Sequence, residues 1–212
     1  GYLFNVSSGS AAYAIDNYSA GKVTINGGTV DAAKASAIRL FYNNGGKVTV
    51  NGGTVGHYTS DDDYSYMGIQ VMSGTDADVE VTGGTIAGMY ALYSTGTGDS
   101  AVSITGGTFD GYVGFGSAGP DNISISGGRF LEWTGTWGSQ TGFISGGEFA
   151  VEPDAIYVEE GKAAVLNEEG WYVITEAVAE IDGIGYATLA AAIEDANEGD
   201  TVVLLKNVTL EG

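Results

Sequence analysis

The residues best suited to bind a ligand lie in one long segment between two glycine-rich repeats, GHYTSDDDYSYMG at residues 56–68. Tyrosine rings stack on the CH groups of a sugar, and carboxylates accept hydrogen bonds from its hydroxyls. The segment therefore predicts a contact surface for a glycan or a host surface protein, formed by Tyr58, Asp61, Asp63, Tyr64 and Tyr66.

Calcium is a second hypothesis for the same segment. Three adjacent carboxylates, those of Asp61, Asp62 and Asp63, could hold Ca²⁺, which prefers several oxygen ligands. Adjacent residues do not converge easily on one ion, and the sequence has neither an EF-hand nor a nonapeptide calcium pattern. A solvated acidic loop is therefore the favoured interpretation, and no cofactor is expected.

A second aromatic group follows in LEWTGTWGSQTG, residues 131–142. Trp133 and Trp137, with Tyr112 and Phe115 from one repeat earlier, could form an aromatic platform for a ligand. The same rings could instead plug the end of the fold. The structural interpretation is favoured, and the platform is the alternative site.

Catalysis has little support in the sequence. A Ser-His-Asp triad would have to use His57, the single histidine, and nothing in the sequence brings it to a nucleophile. Asp110, Asp121 and Glu132 could supply the paired carboxylates of a hydrolase, but their separation cannot be read from the sequence. A non-catalytic function is expected, and a carbohydrate-active enzyme, either a polysaccharide lyase or a glycoside hydrolase, is the alternative.

The composition excludes several other classes of function. Seven Lys and Arg against 27 Asp and Glu give a net charge of −20, which disfavours nucleic acids and anionic membranes. The chain has no cysteine, so it can form neither a disulfide scaffold nor a cysteine zinc site. No apolar run approaches the roughly 20 residues of a membrane span, so membrane insertion of this segment is not expected.

Six repeats ending in a glycine pair must position these side chains. Their first glycines follow one another at intervals of 25, 31, 23, 21 and 19 residues. A unit of this length without helical periodicity predicts one coil of a β-solenoid. The repeat segments are KVTINGGTV, KVTVNGGTV, DVEVTGGTI, AVSITGGTF, NISISGGRF and TGFISGGEF.

Alternation within the repeat predicts which side chains are buried, because successive residues of a strand face opposite sides. The apolar residue two positions before each glycine pair, such as Val50 or Ile104, should lie inside, with Thr49 outside. A second strand is expected fourteen residues before each first glycine. In the last repeat Glu132 and Thr134 break its apolar pattern, so that repeat is either irregular or turns Leu131 and Trp133 inward.

The fold class expected for residues 1–149 is all-β, a parallel β-helix of about six coils with GG-T repeats. Right-handed coiling follows from the crossover rule for parallel strands.

The composition changes after residue 149, where glycine becomes rarer and acids more frequent. Residues 150–177 predict an acidic β-hairpin connector that turns around Asn167 to Gly170. Residues 178–212 predict a small β-α-β unit, with Thr188 as the helix N-cap and Val202 to Leu205 as a buried strand. This unit either caps the solenoid or begins another module.

The tract YATLAAAIEDANEGDTVVLLKNVTL resembles the opening of pectate-lyase-like β-helices. Together with ISGGEF and NEEGWYVI, it makes the chain similar to repetitive cell-surface proteins of bacteria, especially gut Firmicutes. The resemblance implies pectin lyase-like modules, extracellular exposure and an adhesin-type role. It also implies a monomeric module that acts as a rigid spacer in a longer chain, of which this sequence, without a signal peptide, is a fragment. It transfers no catalytic residue.

Overall fold

The computed structural model is a mostly-β structure, a β-solenoid of about five turns followed by a small antiparallel sheet with one short helix. The structure describes residues 1–5, 12–33, 35–41, 44–57, 66–96, 100–117, 119–120 and 122–209. Within those ranges, no helix is long and apolar enough to cross a bilayer.

The solenoid strands are β1 (Tyr2–Asn5), β2 (Ile15–Asn17), β3 (Lys22–Ile25), β4 (Thr29–Ala32), β5 (Ile38–Leu40), β6 (Asn44–Val50), β7 (Thr54–Val55), β8 (Met67–Val71), β9 (Asp76–Val81), β10 (Thr85–Ser94), β11 (Ala101–Phe115), β12 (Asn122–Phe130), β13 (Thr134–Thr136) and β14 (Ile144–Phe149). The C-terminal elements are a 3₁₀ helix (Ala155–Tyr157), β15 (Lys162–Leu166), β16 (Tyr172–Glu176), β17 (Ala179–Ile181), β18 (Ile184–Tyr186), α1 (Leu189–Asp195) and β19 (Val203–Leu204).

Each turn of the solenoid contributes to three faces. Face A contains β1, β4, β7 and the segments that follow the later glycine pairs. Face B contains β2, β5, β8 and β13, together with the C-terminal parts of β10 and β11. Face C contains β3, β6 and β9, together with the N-terminal parts of β11, β12 and β14. Successive turns pair in parallel on all three faces, as the repeats predict. Right-handed coiling stays a prediction.

The interior consists of columns of like side chains, one residue from each turn. On face A the rings of Phe109, Phe130 and Phe149 stack with centroids 4.8 and 4.6 Å apart, tilted by only 8° and 6°. On face C the apolar residues two positions before the glycine pairs are buried as predicted, Val50 and Ile104 completely. Each such side chain contributes about 1.5 to 3 kcal/mol through its burial.

The glycine pairs turn the chain from face C to face A. Gly53 has a φ of +85°, where only glycine is unstrained, and a Cβ on it would stand 2.5 Å from the carbonyl oxygen of Gly28. The pair therefore allows both the sharp corner and the close approach of neighbouring turns.

Two details at the ends of the solenoid differ from the prediction. Ile15, and not Tyr13, aligns with Ile38, because the corner from face B to face C is shorter in the first turn. In the last turn Thr134, and not Glu132, aligns with Val113 and is buried. Turning Leu131 and Trp133 inward was therefore the wrong alternative.

The stack has about five turns, close to the six coils expected, and a hairpin follows the sixth repeat, whose strand β14 still pairs in parallel with β12. The predicted hairpin is present as β15 and β16, and β16 pairs antiparallel with β14 at the end of face A. On face B, Tyr157 Oη donates a hydrogen bond of 2.9 Å to the carbonyl of Thr136. On face C, Val158 forms a parallel bridge with Ile144. These contacts cover the edge strands of the last turn, whose backbone groups would otherwise pair with a strand of another chain.

The last unit is the three-stranded antiparallel sheet β18-β17-β19 with α1 beside it. Thr188 Oγ1 accepts a hydrogen bond of 3.1 Å from the backbone N–H of Ala191, which confirms the predicted N-cap. The expected burial of the last strand is wrong, since Val203 and Leu204 are exposed at the sheet edge. Val202, just before the strand, packs against a core that contains Ala179 and Ala192.

Candidate functional site: an aromatic surface on face B

The outer side of face B carries a column of equivalent residues, which we call the ladder. The residues are polar in the first three turns, aromatic in the fourth and glycine in the last two. The residues occupy equivalent positions in successive turns, so about 4.8 Å separates each from the next. Along the solenoid axis they are Asp16, Arg39, Gln70, Tyr93, Gly114 and Gly135.

A second outward column runs beside this ladder. Tyr90 aligns with Met67 on one side and with Tyr112 on the other. A register shift between Tyr90 and Leu92 lets the tyrosine keep this position while the leucine points into the core. Trp133 continues the column, and its carbonyl accepts a 3.0 Å hydrogen bond from the N–H of Val113.

Five rings from these columns and from the adjoining corner touch one another, and we call them the aromatic cluster: Tyr90, Tyr93, Tyr112, Trp133 and Trp137. Tyr90, Tyr93 and Trp137 form a triangle with centroids 5.0, 6.0 and 6.1 Å apart. Tyr112 lies 5.7 Å from Tyr90, and Trp133 lies 5.0 Å from Trp137. The rings are tilted by 46° to 75°, and such aromatic pairs are stabilising.

The two glycines of the ladder make room for the indoles. A Cβ on Gly114 would stand 2.7 Å from Cζ3 of Trp137, and a Cβ on Gly135 would stand 2.5 Å from Cζ2 of Trp133. Neither glycine has a positive φ, so what these positions require is space. The indoles therefore lie directly over the backbone of the sheet.

The aromatic cluster stays accessible although its members support one another. Trp137 is 51% exposed and the other four rings are half-buried. Since β10, β11 and the segment around β13 belong to consecutive turns, the rings cover three turns of face B. A continuous aromatic surface that solvent can reach is a candidate binding site.

The structure brings together three of the four residues of the predicted platform. Tyr112, Trp133 and Trp137 belong to the aromatic cluster, but Phe115 does not. Its neighbour Gly114 faces outward, so Phe115 points inward and is fully buried, with its ring edge-on to Phe143 at 5.8 Å. Sequence reasoning missed Tyr90 and Tyr93.

At the polar end of the ladder, Arg39 is surrounded by a carboxylate and by aromatic side chains. Arg39 donates from Nε and Nη2 to the two carboxylate oxygens of Asp16, at 2.9 and 2.6 Å. Its guanidinium also lies 3.8 Å from the ring centroid of Tyr13 and donates to the hydroxyl of Tyr18. The hydrogen bond to Asp16 raises the pKa of Arg39, so this group is a charged, rigid boundary of face B.

Most of the long acidic segment lies outside the described residues, including Tyr58, Asp61, Asp62, Asp63 and Tyr64. Both the ligand-binding prediction and the calcium hypothesis for those residues stay predictions. In the part of the chain that the structure describes, no three His, Asp or Glu side chains gather at one point.

The described residues on either side of positions 58–65, His57 and Tyr66, touch each other. His57 and Tyr66, which is half-buried, have ring centroids 5.6 Å apart, in an edge-on arrangement. His57 Nδ1 lies 2.7 Å from Oδ1 of Asp31, a buried carboxylate that also accepts a hydrogen bond from the N–H of Ala32. The two ends of the segment are therefore anchored to face A.

A salt bridge marks the outside of face C. Lys47 Nζ lies 2.6 Å from Glu80 Oε2. The hydrogen bond between them lowers the pKa of Glu80 and raises the pKa of Lys47. Lys22 aligns with Lys47, as the repeats predict. The surface of face C is thus charged and polar, in contrast to the aromatic surface of face B.

No protein-family model, curated protein or solved structure matches this chain.

Proposed function

We propose that this chain is a non-catalytic adhesive module of a bacterial cell-surface protein and that its aromatic cluster binds a neutral glycan. One observation carries the proposal: five rings from three turns lie together, with both indoles over glycines, and stay accessible to solvent. Aromatic faces bind the CH faces of sugar rings, and tyrosine hydroxyls add hydrogen bonds to sugar hydroxyls.

The charge of the protein supports a neutral ligand over an acidic one. With a net charge of −20, the chain repels uronates and other polyanions at long range. The nearest basic group along the outer ladder is Arg39, and its guanidinium is already paired with Asp16. Face B therefore provides little compensation for an anionic ligand.

The polar part of the ladder supports a glycan over a protein partner. Gln70 lies next to Tyr93 in register and brings an amide beside the rings. A ligand rich in hydroxyls needs such groups at the edge of an aromatic surface. Hot spots between proteins, by comparison, centre on pockets from which water is excluded.

The solenoid suits a module that presents its binding surface away from a cell. About five turns, each adding roughly 4.8 Å, form one continuous parallel stack. Backbone hydrogen bonds link every turn to the next, so the axis resists bending. The resemblance to repetitive bacterial surface proteins supports the same role as a spacer outside the cell.

A glycan array tests the proposal with three proteins: the wild type, Trp137→Ala and Trp171→Ala. Trp171 is a matched control, because it stacks on the guanidinium of Arg129 at 3.9 Å outside face A. We expect wild type and Trp171→Ala to bind the same neutral glycans and Trp137→Ala to lose them. Binding to cells that persists after enzymatic removal of their glycans, or an array signal unchanged in Trp137→Ala, would overturn the proposal.

A further inference from the structure

We infer that the ligand of face B is an extended, β-linked neutral glycan that lies along the solenoid axis, with one sugar residue over each turn. This inference rests on the proposed function and adds the shape and direction of the ligand. Its basis is the distribution of the contact groups, which come from four consecutive turns.

The aromatic part of this track spans three turns. Tyr90 and Tyr93 come from β10, Tyr112 from β11, and Trp133 from the residue before β13. Trp137 folds back from the next corner over Gly114. Its indole contacts Trp133 of the last turn and Tyr90, which lies two turns earlier. The rings are distributed along the axis over three turns, whereas a pocket for one terminal sugar would require all five to surround a single point.

The spacing of the turns matches this kind of ligand. Neighbouring strands of the parallel stack are about 4.8 Å apart, which is close to the length of one pyranose in an extended β-linked chain. Each successive sugar of such a chain would therefore meet an equivalent position of the next turn. A compact or branched glycan has no matching repeat.

Gln70 supplies the polar end of the track. It lies one turn before Tyr93 on the same outward ladder. Its Oε1 accepts a hydrogen bond of 2.8 Å from Ser36 Oγ, so its Nε2 group is the part of the amide that can donate to a sugar hydroxyl. Beyond it the ladder reaches Arg39, whose pairing with Asp16 closes the track. The track therefore has four positions, one polar and three aromatic.

Isothermal titration of the full chain with linear β1,4-linked gluco-, manno- and xylo-oligosaccharides of increasing length tests this inference. In at least one series the Kd should fall by about tenfold or more from the disaccharide to the tetrasaccharide and then level off. Gln70→Ala should raise the Kd of the tetrasaccharide several-fold and leave that of the disaccharide unchanged. Asn26→Ala, which removes an exposed amide outside face B, should change neither value.

The possible failures are distinguishable. A mono- or disaccharide that binds as tightly as the tetrasaccharide would overturn the extended track and leave the glycan-binding function standing. Binding confined to branched or α-linked glycans on the array would do the same. Failure of every glycan to bind would overturn both the inference and the proposed function.

Discussion

Gly114 lies beneath the indole of Trp137, so close that a Cβ on the glycine would stand 2.7 Å from the ring. The same relationship repeats one turn later between Gly135 and Trp133. The two glycines thus provide the space in which two of the five rings lie. The surface depends as much on the missing side chains as on the rings.

Replacing Gly114 with Ala should displace Trp137 without unfolding the solenoid. We expect a loss of about 1 to 3 kcal/mol in the free energy of unfolding, because the new methyl group overlaps the indole. The near-ultraviolet circular dichroism of the coupled rings should weaken. Gly27→Ala is the control, since a Cβ there meets nothing within 4 Å, and it should cost about 0.5 kcal/mol or less. Equal spectra for wild type and Gly114→Ala would show that the indole does not rest on this position.

Two buried threonines of the last turn should respond oppositely to replacement by valine. Among the described residues, Thr134 Oγ1 is buried without a hydrogen-bond partner, so Thr134→Val should stabilise the protein by about 1 kcal/mol. Thr136 Oγ1 accepts from the N–H of Gly138 at 2.9 Å and bonds to Gln140, so Thr136→Val should cost about 1 to 3 kcal/mol. Chemical denaturation measures both. A loss of stability in Thr134→Val would mean that its hydroxyl is satisfied.

The inward columns should dominate stability. Ile104 is completely buried, and Ile104→Ala should cost about 2 to 5 kcal/mol, with Ile104→Val between about 0.5 and 1.5. Ser124 lies on the outside of the same face and is exposed, so Ser124→Ala should cost about 0.5 kcal/mol or less. Similar denaturation midpoints for Ile104→Ala and Ser124→Ala would contradict the assignment of inside and outside.

Tyr186 should titrate at unusually high pH. Its hydroxyl donates a 2.5 Å hydrogen bond to Asp195, which raises the pKa of Tyr186 to about 12. Because the neutral phenol is the favoured form, the stabilisation is complete below about pH 10 and is lost as the pH rises towards 12. The tyrosinate absorbance lost in Tyr186→Phe should show this midpoint, and Asp195→Asn should return it towards 10. A midpoint near 10 in the wild type would show that the hydrogen bond is absent.

The sequence predicts the core better than the site because the two depend on different spacings. The corner between faces C and A has the same length in every repeat, so counting from the glycine pair finds the inward residues such as Val50 and Ile104. The corner from face A to face B varies in length, and a register shift follows Tyr90. Counting from the glycines therefore does not align Tyr90 with Tyr112.

Two features of face B differ from the predicted platform: Phe115 points inward, and Trp137 lies over Gly114. The alternation of Gly114 with Val113 and Phe115 was a usable signal, because it predicts that the phenylalanine points inward. No spacing in the sequence predicts that Trp137 folds back over Gly114, since that contact depends on the corner after β13.

The most direct test of the aromatic surface uses the indole N–H signals of the three tryptophans in a ¹⁵N-labelled sample. The protein is titrated with neutral β1,4-linked hexasaccharides of glucose, mannose and xylose. Trp133 and Trp137 belong to the aromatic cluster, and Trp171, stacked on Arg129, is an internal control. The account predicts that at least one sugar shifts the signals of Trp133 and Trp137 and leaves Trp171 in place. Signals of Trp133 and Trp137 that stay fixed with every sugar, or a shift confined to Trp171, would contradict it.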